Sequence, residues 1–171
     1  RHKYRSDGEC IVPSYRELGP RFPRALDGEW ALAVFDFAQD LAVLSTDVFS
    51  TKPLWYSLHE GFHAASYASA LLALGLPEDS LKMVDPNQVI VFSLSGATAT
   101  PIQRYSVHEF DLHQHKSSTE DWQHAFRRAI WKRTASSNHP VFVGLSSGYD
   151  SGALHLALEQ VAPAHSVNYF T

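Results

Sequence analysis

The chain has 171 residues, 44% of them hydrophobic and 19% charged, with a formal net charge of −4 at pH 7. That is enough apolar material for a packed core, and too little positive charge for nucleic acid to be a main partner. No apolar run approaches the roughly 18 residues of a spanning helix, so no membrane span is expected, and the single cysteine, Cys10, excludes an intrachain disulfide or a cysteine-based metal cluster.

In chain order, the basic residues at 1–5 are followed by polar ones rather than by an apolar signal core. With a single cysteine compatible with a reducing compartment, a cytoplasmic setting is expected. Ser6 and Glu9 have the spacing of a capping box, and Ile11, Val12, Tyr15 and Leu18 recur at helical spacing until Gly19 and Pro20, which predicts a helix. Phe22, Ala25 and Leu26 make a short helical turn. From Trp30 the period changes: residues 30–37 and 41–47 read as two strands around Ala38, Gln39 and Asp40, and residues 53–58 and 62–66 as two more around His59, Glu60 and Gly61. These four are expected to form an antiparallel meander. A short helix over 67–74, capped by Gly75, precedes a last hairpin of 89–94 and 98–105.

Residues 106–118 read as a linker. Their His108, His113 and His115 are compatible with a transition metal but lack the array of a zinc site, so a solvated segment is expected. Ser118 then caps a helix in which Trp122, Phe126, Ala129, Ile130 and Arg133 repeat at helical spacing.

Residues 141–145, VFVGL, form a short apolar run of the kind found in a parallel strand buried on both faces. A polar turn follows at Ser146, Ser147, Gly148, Tyr149, Asp150, Ser151 and Gly152. Ala153, Leu154, Leu156, Ala157, Leu158 and Val161 give the next helix its apolar face, and Pro163 closes it. Strand, turn and helix in this order aim backbone N–H groups and the positive helix end at one point, which suits an anion. Ser146, Ser147 and Ser151 can donate to phosphate oxygens, Gly148 admits close backbone approach, and Asp150 can hold the magnesium that accompanies a nucleoside triphosphate. The common phosphate loop, GxxxxGK followed by serine or threonine, is absent. The same residues also fit a plain strand-to-helix turn with a serine or aspartate N-cap, and the motif alone leaves the two readings even.

That turn resembles the SGGxDS loop of ATP pyrophosphatases, which make AMP and pyrophosphate. Further stretches resemble one family, the glutamine-dependent asparagine synthetases and their amidotransferase relatives. SDGE at 6–9 resembles the family's GSDxE, LDGEWALAVFD at 26–36 resembles LxGMFAFALYD, and TDVFSTKPLWY at 46–56 resembles RDxxGxKPLYY. AASYASALLALG at 64–75 resembles xASExKAL, and VFVGLSSGYDSG at 141–152 resembles VGVLLSGGLDSS. The matches run in the family's order over nearly the whole chain.

The resemblance implies an α/β chain in three parts. Residues 1–105 would be the C-terminal half of a glutaminase (Ntn-type) domain of antiparallel sheets with helices, 106–118 the linker, and 119–171 the start of a doubly wound, parallel-sheet ATP-binding domain. The implied activity is that of a ligase: adenylation of a carboxylate, aspartate by default, then amide formation with glutamine-derived ammonia, using ATP and Mg2+. By the same resemblance Leu145, Ser146, Gly148, Asp150 and Ser151 bind ATP, Asp150 through magnesium, and Asp7 holds the α-amino group of glutamine. Charge compensation in the first turn of a helix is the plainer role for Asp7.

Departures from the family accompany the matches. Its nucleophile is an N-terminal cysteine whose own amine is the base, a part that Arg1 cannot play, nor can Cys10, expected as a small buried residue within a helix. The chain alone is therefore expected to be inactive as a glutaminase. Thr46 stands where the family has arginine, Ser50 where it has glycine, Tyr67 where it has glutamate, and Ser147 at the first glycine of SGGxDS. If position 147 needs a positive φ, its serine is strained by on the order of 1 kcal/mol. The chain is expected to enter the glutaminase domain about halfway and to need its remaining chain or a partner subunit. The alternative is a non-catalytic descendant, kept as a structural or interaction subunit of a larger assembly.

Overall fold

The computed structural model describes residues 6–134, 139–161 and 167–171. It divides into two compact units, Arg1–Asp111 and Leu112–Thr171.

In the first unit a 3-10 turn, Asp7–Cys10, leads into helix α1, Ile11–Leu18. The expected capping box does not form: Ser6 makes no side-chain cap, and the Glu9 amide bonds instead to the Ser6 carbonyl at 3.3 Å. Cys10 is exposed rather than buried, its Sγ 3.2 Å from the Asp7 carbonyl oxygen. Gly19 ends α1 at a φ of 60°, a left-handed conformation that glycine takes without a Cβ clash. The 3-10 segment Gly19–Ala25 then drops Phe22 into the core.

Strands β1 (Ala31–Asp36), β2 (Leu41–Thr46), β3 (Trp55–Ser57) and β4 (His63–Ala65) are followed by helix α2 (Ala68–Ala73). Strands β5 (Lys82–Met83), β6 (Gln88–Ser93) and β7 (Thr100–Ser106) complete the unit. They do not make a single meander. One antiparallel sheet has the order β1-β2-β6-β7, and a second has the order β4-β3-β5. The reason lies in β2, whose residues 42–46 are all buried. A strand apolar on both faces is stable only in the interior of a covered sheet, and β6, buried from Val89 to Phe92, is its match.

Alternation along these strands divides the core in two. Leu32, Val43, Val89 and Val91 face Tyr15 of α1 and Phe22, while Ala42, Leu44, Ile90 and Phe92 face Leu54, Tyr56 and Val84 of the second sheet and its flank. Helical segments thus cover one face of the larger sheet and the smaller sheet covers the other.

The departures at Thr46 and Tyr67 fall in unlike surroundings. Thr46 is fully buried, with Oγ1 donating to the Asp85 carbonyl at 2.7 Å, whereas Tyr67 precedes α2 and is 64% exposed. The stretch expected as a linker begins inside this unit: Ser106 closes β7, and Val107 is buried in the core.

The second unit contains α3 (Glu120–Thr134), β8 (Val141–Gly144), α4 (Tyr149–Val161) and β9 (Val167–Phe170). The two strands are parallel, with Val141 opposite Val167 and Gly144 opposite Phe170. Ile130, Ala157 and Leu158 form its core with Phe126, Val143, Val161 and Val167. The expectation that β8 is buried on both faces is not met, since Phe142 is 74% exposed. Both helices pack on the Val143 face, and none of the described residues of this unit covers the Phe142 face. Pro163 and Arg1 lie outside the described residues.

Candidate functional site

The turn between β8 and α4 is built by its own hydroxyls. The Leu145 amide donates to the Phe170 carbonyl at 2.7 Å, carrying the strand pairing one residue further and fixing where the turn starts. The Ser146 amide donates to Ser151 Oγ at 3.1 Å, and the two serine hydroxyls lie 3.0 Å apart. The Gly148 amide donates to Ser146 Oγ at 3.2 Å. Ser151 Oγ also stands 3.1 Å from the Ser146 carbonyl and 3.2 Å from that of Gly148. A hydroxyl has one proton, so Ser151 satisfies one of these acceptors at a time.

Gly148 leaves the loop tight at this point. An added Cβ would lie 3.2 Å from Ser146 Oγ, while φ is not in the left-handed region. Ser147 has no positive φ either, so the strain considered for it is absent. Among the described residues the left-handed serine is Ser50, at a φ of 50°.

The Gly152 amide bonds to the Gly148 carbonyl at 3.3 Å and opens α4. The first-turn N–H groups of Tyr149 and Asp150 have no carbonyl one turn back within the helix, so the positive end of α4 is presented at the turn. Asp150 is exposed there, beside a Tyr149 that is 98% exposed. The structure therefore brings Leu145, Ser146, Gly148, Asp150 and Ser151 together, with hydroxyls, amides and a carboxylate within one short loop. Asp7 belongs to the first unit, exposed in its 3-10 turn, where Oδ1 accepts the Gly8 amide at 2.9 Å.

The sequence reading passed over Asp47. This carboxylate is 2% exposed and accepts the Trp30 amide at 3.1 Å, the Phe49 amide at 2.9 Å, and both the amide and the hydroxyl of Thr51 at 3.1 Å. Burial works against its charge, but the bonds from Phe49, Thr51 and Trp30 outweigh it and hold the carboxyl below its ordinary range. Its place in TDVFSTKPLWY was the available signal.

Among the described residues no group of three metal-ligating side chains converges. His115 Nδ1 lies 2.8 Å from the His113 carbonyl, and the His108 ring packs edge-on to Phe110 at 4.7 Å. No described helix is long and apolar enough to cross a membrane.

Comparison with known proteins adds to this geometry. A protein of Methanocaldococcus jannaschii named "Putative asparagine synthetase (glutamine-hydrolyzing) 1" is 26% identical over 170 residues, covering 90% of this chain. The chain spans about a third of that relative's length, 31%. A solved structure described as that of "the allosteric regulatory enzyme of purine biosynthesis" aligns with 99% of this chain and 39% of its own at 13% identity, with a TM-score of 0.49. Residues 1–119 match the family described as the glutamine amidotransferase domain, and by that match over most of its length the chain belongs to this family.

Proposed function

We propose that the chain is part of an asparagine-synthetase-like amidotransferase, a ligase that activates a carboxylate, aspartate by default, with ATP and amidates it with ammonia from glutamine. The observation that carries the ATP half is the loop at the carboxyl end of β8, where two serine hydroxyls 3.0 Å apart, a glycine whose added Cβ would crowd Ser146 Oγ and an exposed aspartate meet the positive end of a helix. This donor set fits a polyphosphate with its magnesium. Ser146, Ser151 and the first-turn amides of α4 would hold phosphate oxygens, Gly148 would let the backbone close on them, and Asp150 would ligate Mg2+. ATP would supply the adenylyl group that makes the carboxylate reactive. Asp7, exposed beside α1, would hold the α-amino group of glutamine.

The test is aspartate-dependent release of pyrophosphate from ATP by the full-length protein. Asp150→Asn should abolish that release while leaving the fold intact, because an amide nitrogen cannot replace a ligating carboxylate oxygen. Asp7→Asn should raise the glutamine requirement and leave ammonia-dependent synthesis unchanged. Absence of aspartate-dependent pyrophosphate release from the wild type would overturn the reading for that substrate.

A second reading is a non-catalytic descendant with a structural role. It draws on the closure of the loop upon itself, since Ser146 Oγ is already engaged by Ser151 and by the Gly148 amide. Titration with ATP and Mg2+ in a calorimeter separates the two: heat of binding favours the enzyme, and none favours the descendant.

A further inference from the structure

Asn87 sits at a φ of 60° just before β6, a conformation that glycine adopts freely and that asparagine tolerates. What asparagine adds is a side chain, and both its polar ends are used. Nδ2 donates to the His108 carbonyl at 2.8 Å and Oδ1 accepts the His108 amide at 2.8 Å. The Asn87 carbonyl accepts the Val107 amide at 3.1 Å. The carboxamide thus mimics one more strand residue for the segment that leaves β7. On its other side, the Asn87 amide donates to the Asp47 carbonyl at 3.0 Å, an oxygen that also accepts the Ser50 amide at 3.1 Å. The Asp47 carboxylate holds Phe49 and Thr51 of the same loop.

We propose that Asn87 is a positioning residue that couples the 47–51 loop to the 107–108 segment by which the chain leaves its first unit, so that loosening either loosens the other. An unbroken series of hydrogen bonds joins the two: Thr51 to the Asp47 carboxylate, the Asp47 carbonyl to the Asn87 amide, and the Asn87 carboxamide to His108. Few alternative partners exist, because Asp47 is buried and Thr46 beside it is tied to the Asp85 carbonyl at 2.7 Å. Arg24 pins the same exit segment from elsewhere, with Nε donating to the Ser106 carbonyl at 3.0 Å and its guanidinium pairing with Glu109 at 2.8 Å. Besides the burial of Val107, the exit segment is thus fastened by Arg24 and by Asn87, and it is the Asn87 bonds that lead to the loop. The coupling stands on these bonds and goes beyond the amidotransferase reading. Should that reading hold, the joint would report the state of the 47–51 loop to the chain leading onward.

Amide exchange followed residue by residue in the full chain tests this without any assay of activity. Asn87→Gly keeps the backbone conformation and removes the carboxamide. The His108 amide should then exchange roughly five- to tenfold faster, as for the loss of one or two hydrogen bonds, and the Phe49 and Thr51 amides should quicken as well, while Val43 in β2 stays unchanged. Coupling is reciprocal, so Thr51→Val, which removes only the hydroxyl on Asp47, should quicken His108. If each variant affects its own segment alone, or if His108 is indifferent to Asn87→Gly, the proposal is wrong. Should Asn87→Gly fail to fold, Asn87→Asp, which keeps an acceptor for the His108 amide but loses the donor to its carbonyl, provides the same readout at Phe49 and Thr51.

Discussion

Tyr15 in α1 donates its phenolic hydrogen to Asp36 Oδ2 at the end of β1 across 2.9 Å, joining a helix to a hairpin 21 residues away in sequence. The other carboxylate oxygen of Asp36 accepts the Ala38 amide at 3.0 Å and the Gln39 amide at 3.1 Å, so one side chain shapes the β1–β2 turn and anchors the helix above it. Burial first, and then the bond and charge of Asp36, push the Tyr15 phenol up to about 12.

The alkaline behaviour follows from that shift. A phenol raised in the folded state above its unfolded value of about 10 contributes stability that is complete below pH 10 and is lost as pH rises towards 12. Ultraviolet titration of the wild type against Tyr15→Phe should isolate a tyrosine ionising near 12. Asp36→Ala should bring that value down only part of the way, because burial is the larger cause. A Tyr15 that titrates like a free phenol in the wild type would contradict the buried geometry.

Asp47 contributes on the acid side. Its carboxyl is held low in the fold, so its contribution is present above the unfolded value of about 4 and is lost as pH falls through the folded one. Asp47→Ala leaves the amides of Trp30, Phe49 and Thr51 without their acceptor and should destabilise the chain by roughly 2–4 kcal/mol near neutral pH. Urea melts at a series of pH values should show the gap between wild type and variant narrowing below pH ~4. A gap that stays constant into acid would remove the carboxylate's charge from the account.

Two serine-to-glycine changes should behave oppositely. Ser50 is left-handed, at a φ of 50°, so Ser50→Gly should raise stability by about 0.5–1 kcal/mol, less a little for its weak 3.4 Å bond to the Lys52 carbonyl. Ser147 has no such strain, and Ser147→Gly should lower stability by a few tenths of a kcal/mol to about 1 kcal/mol through the greater freedom of the unfolded chain. Thermal melts of the two single variants decide the matter by sign alone.

The β8–α4 loop should be sensitive at its two smallest groups. Gly148→Ala sets a Cβ 3.2 Å from Ser146 Oγ and has to displace the hydroxyl that accepts the Gly148 amide. Ser151→Ala removes the acceptor of the Ser146 amide. Each should cost about 1 kcal/mol, and because they act on one network the double variant should cost less than the sum. Full additivity in a double-mutant cycle would mean that the loop is not held as a unit.

The sequence by itself determined the elements and much of their chemistry. Periodicity and stop signals are local, so α1 ending at Gly19, the β1–β2 hairpin, α2 ending before Gly75, and the strand, turn and helix of β8 and α4 were all legible. Motif order likewise pointed to the amidotransferase family over residues that the family match covers. Partnership was not legible, because alternation shows that a strand has a buried face without showing what buries it. The pairing of β2 with β6 and the separate sheet of β3, β4 and β5 were decided by which surfaces could be covered at long range. Strain was placed at Ser147 by motif, whereas the backbone put a left-handed serine at Ser50. Residues 106–108 read as solvated linker because they open a stretch rich in polar residues with no period, yet Val107 is buried and Asn87, about 20 residues earlier in sequence, supplies bonds that hold Val107 and His108. Only the folded chain brings a buried carboxylate and a left-handed asparagine next to the amides they satisfy, for hydrogen-bond partners are chosen by proximity in space and not by spacing in sequence.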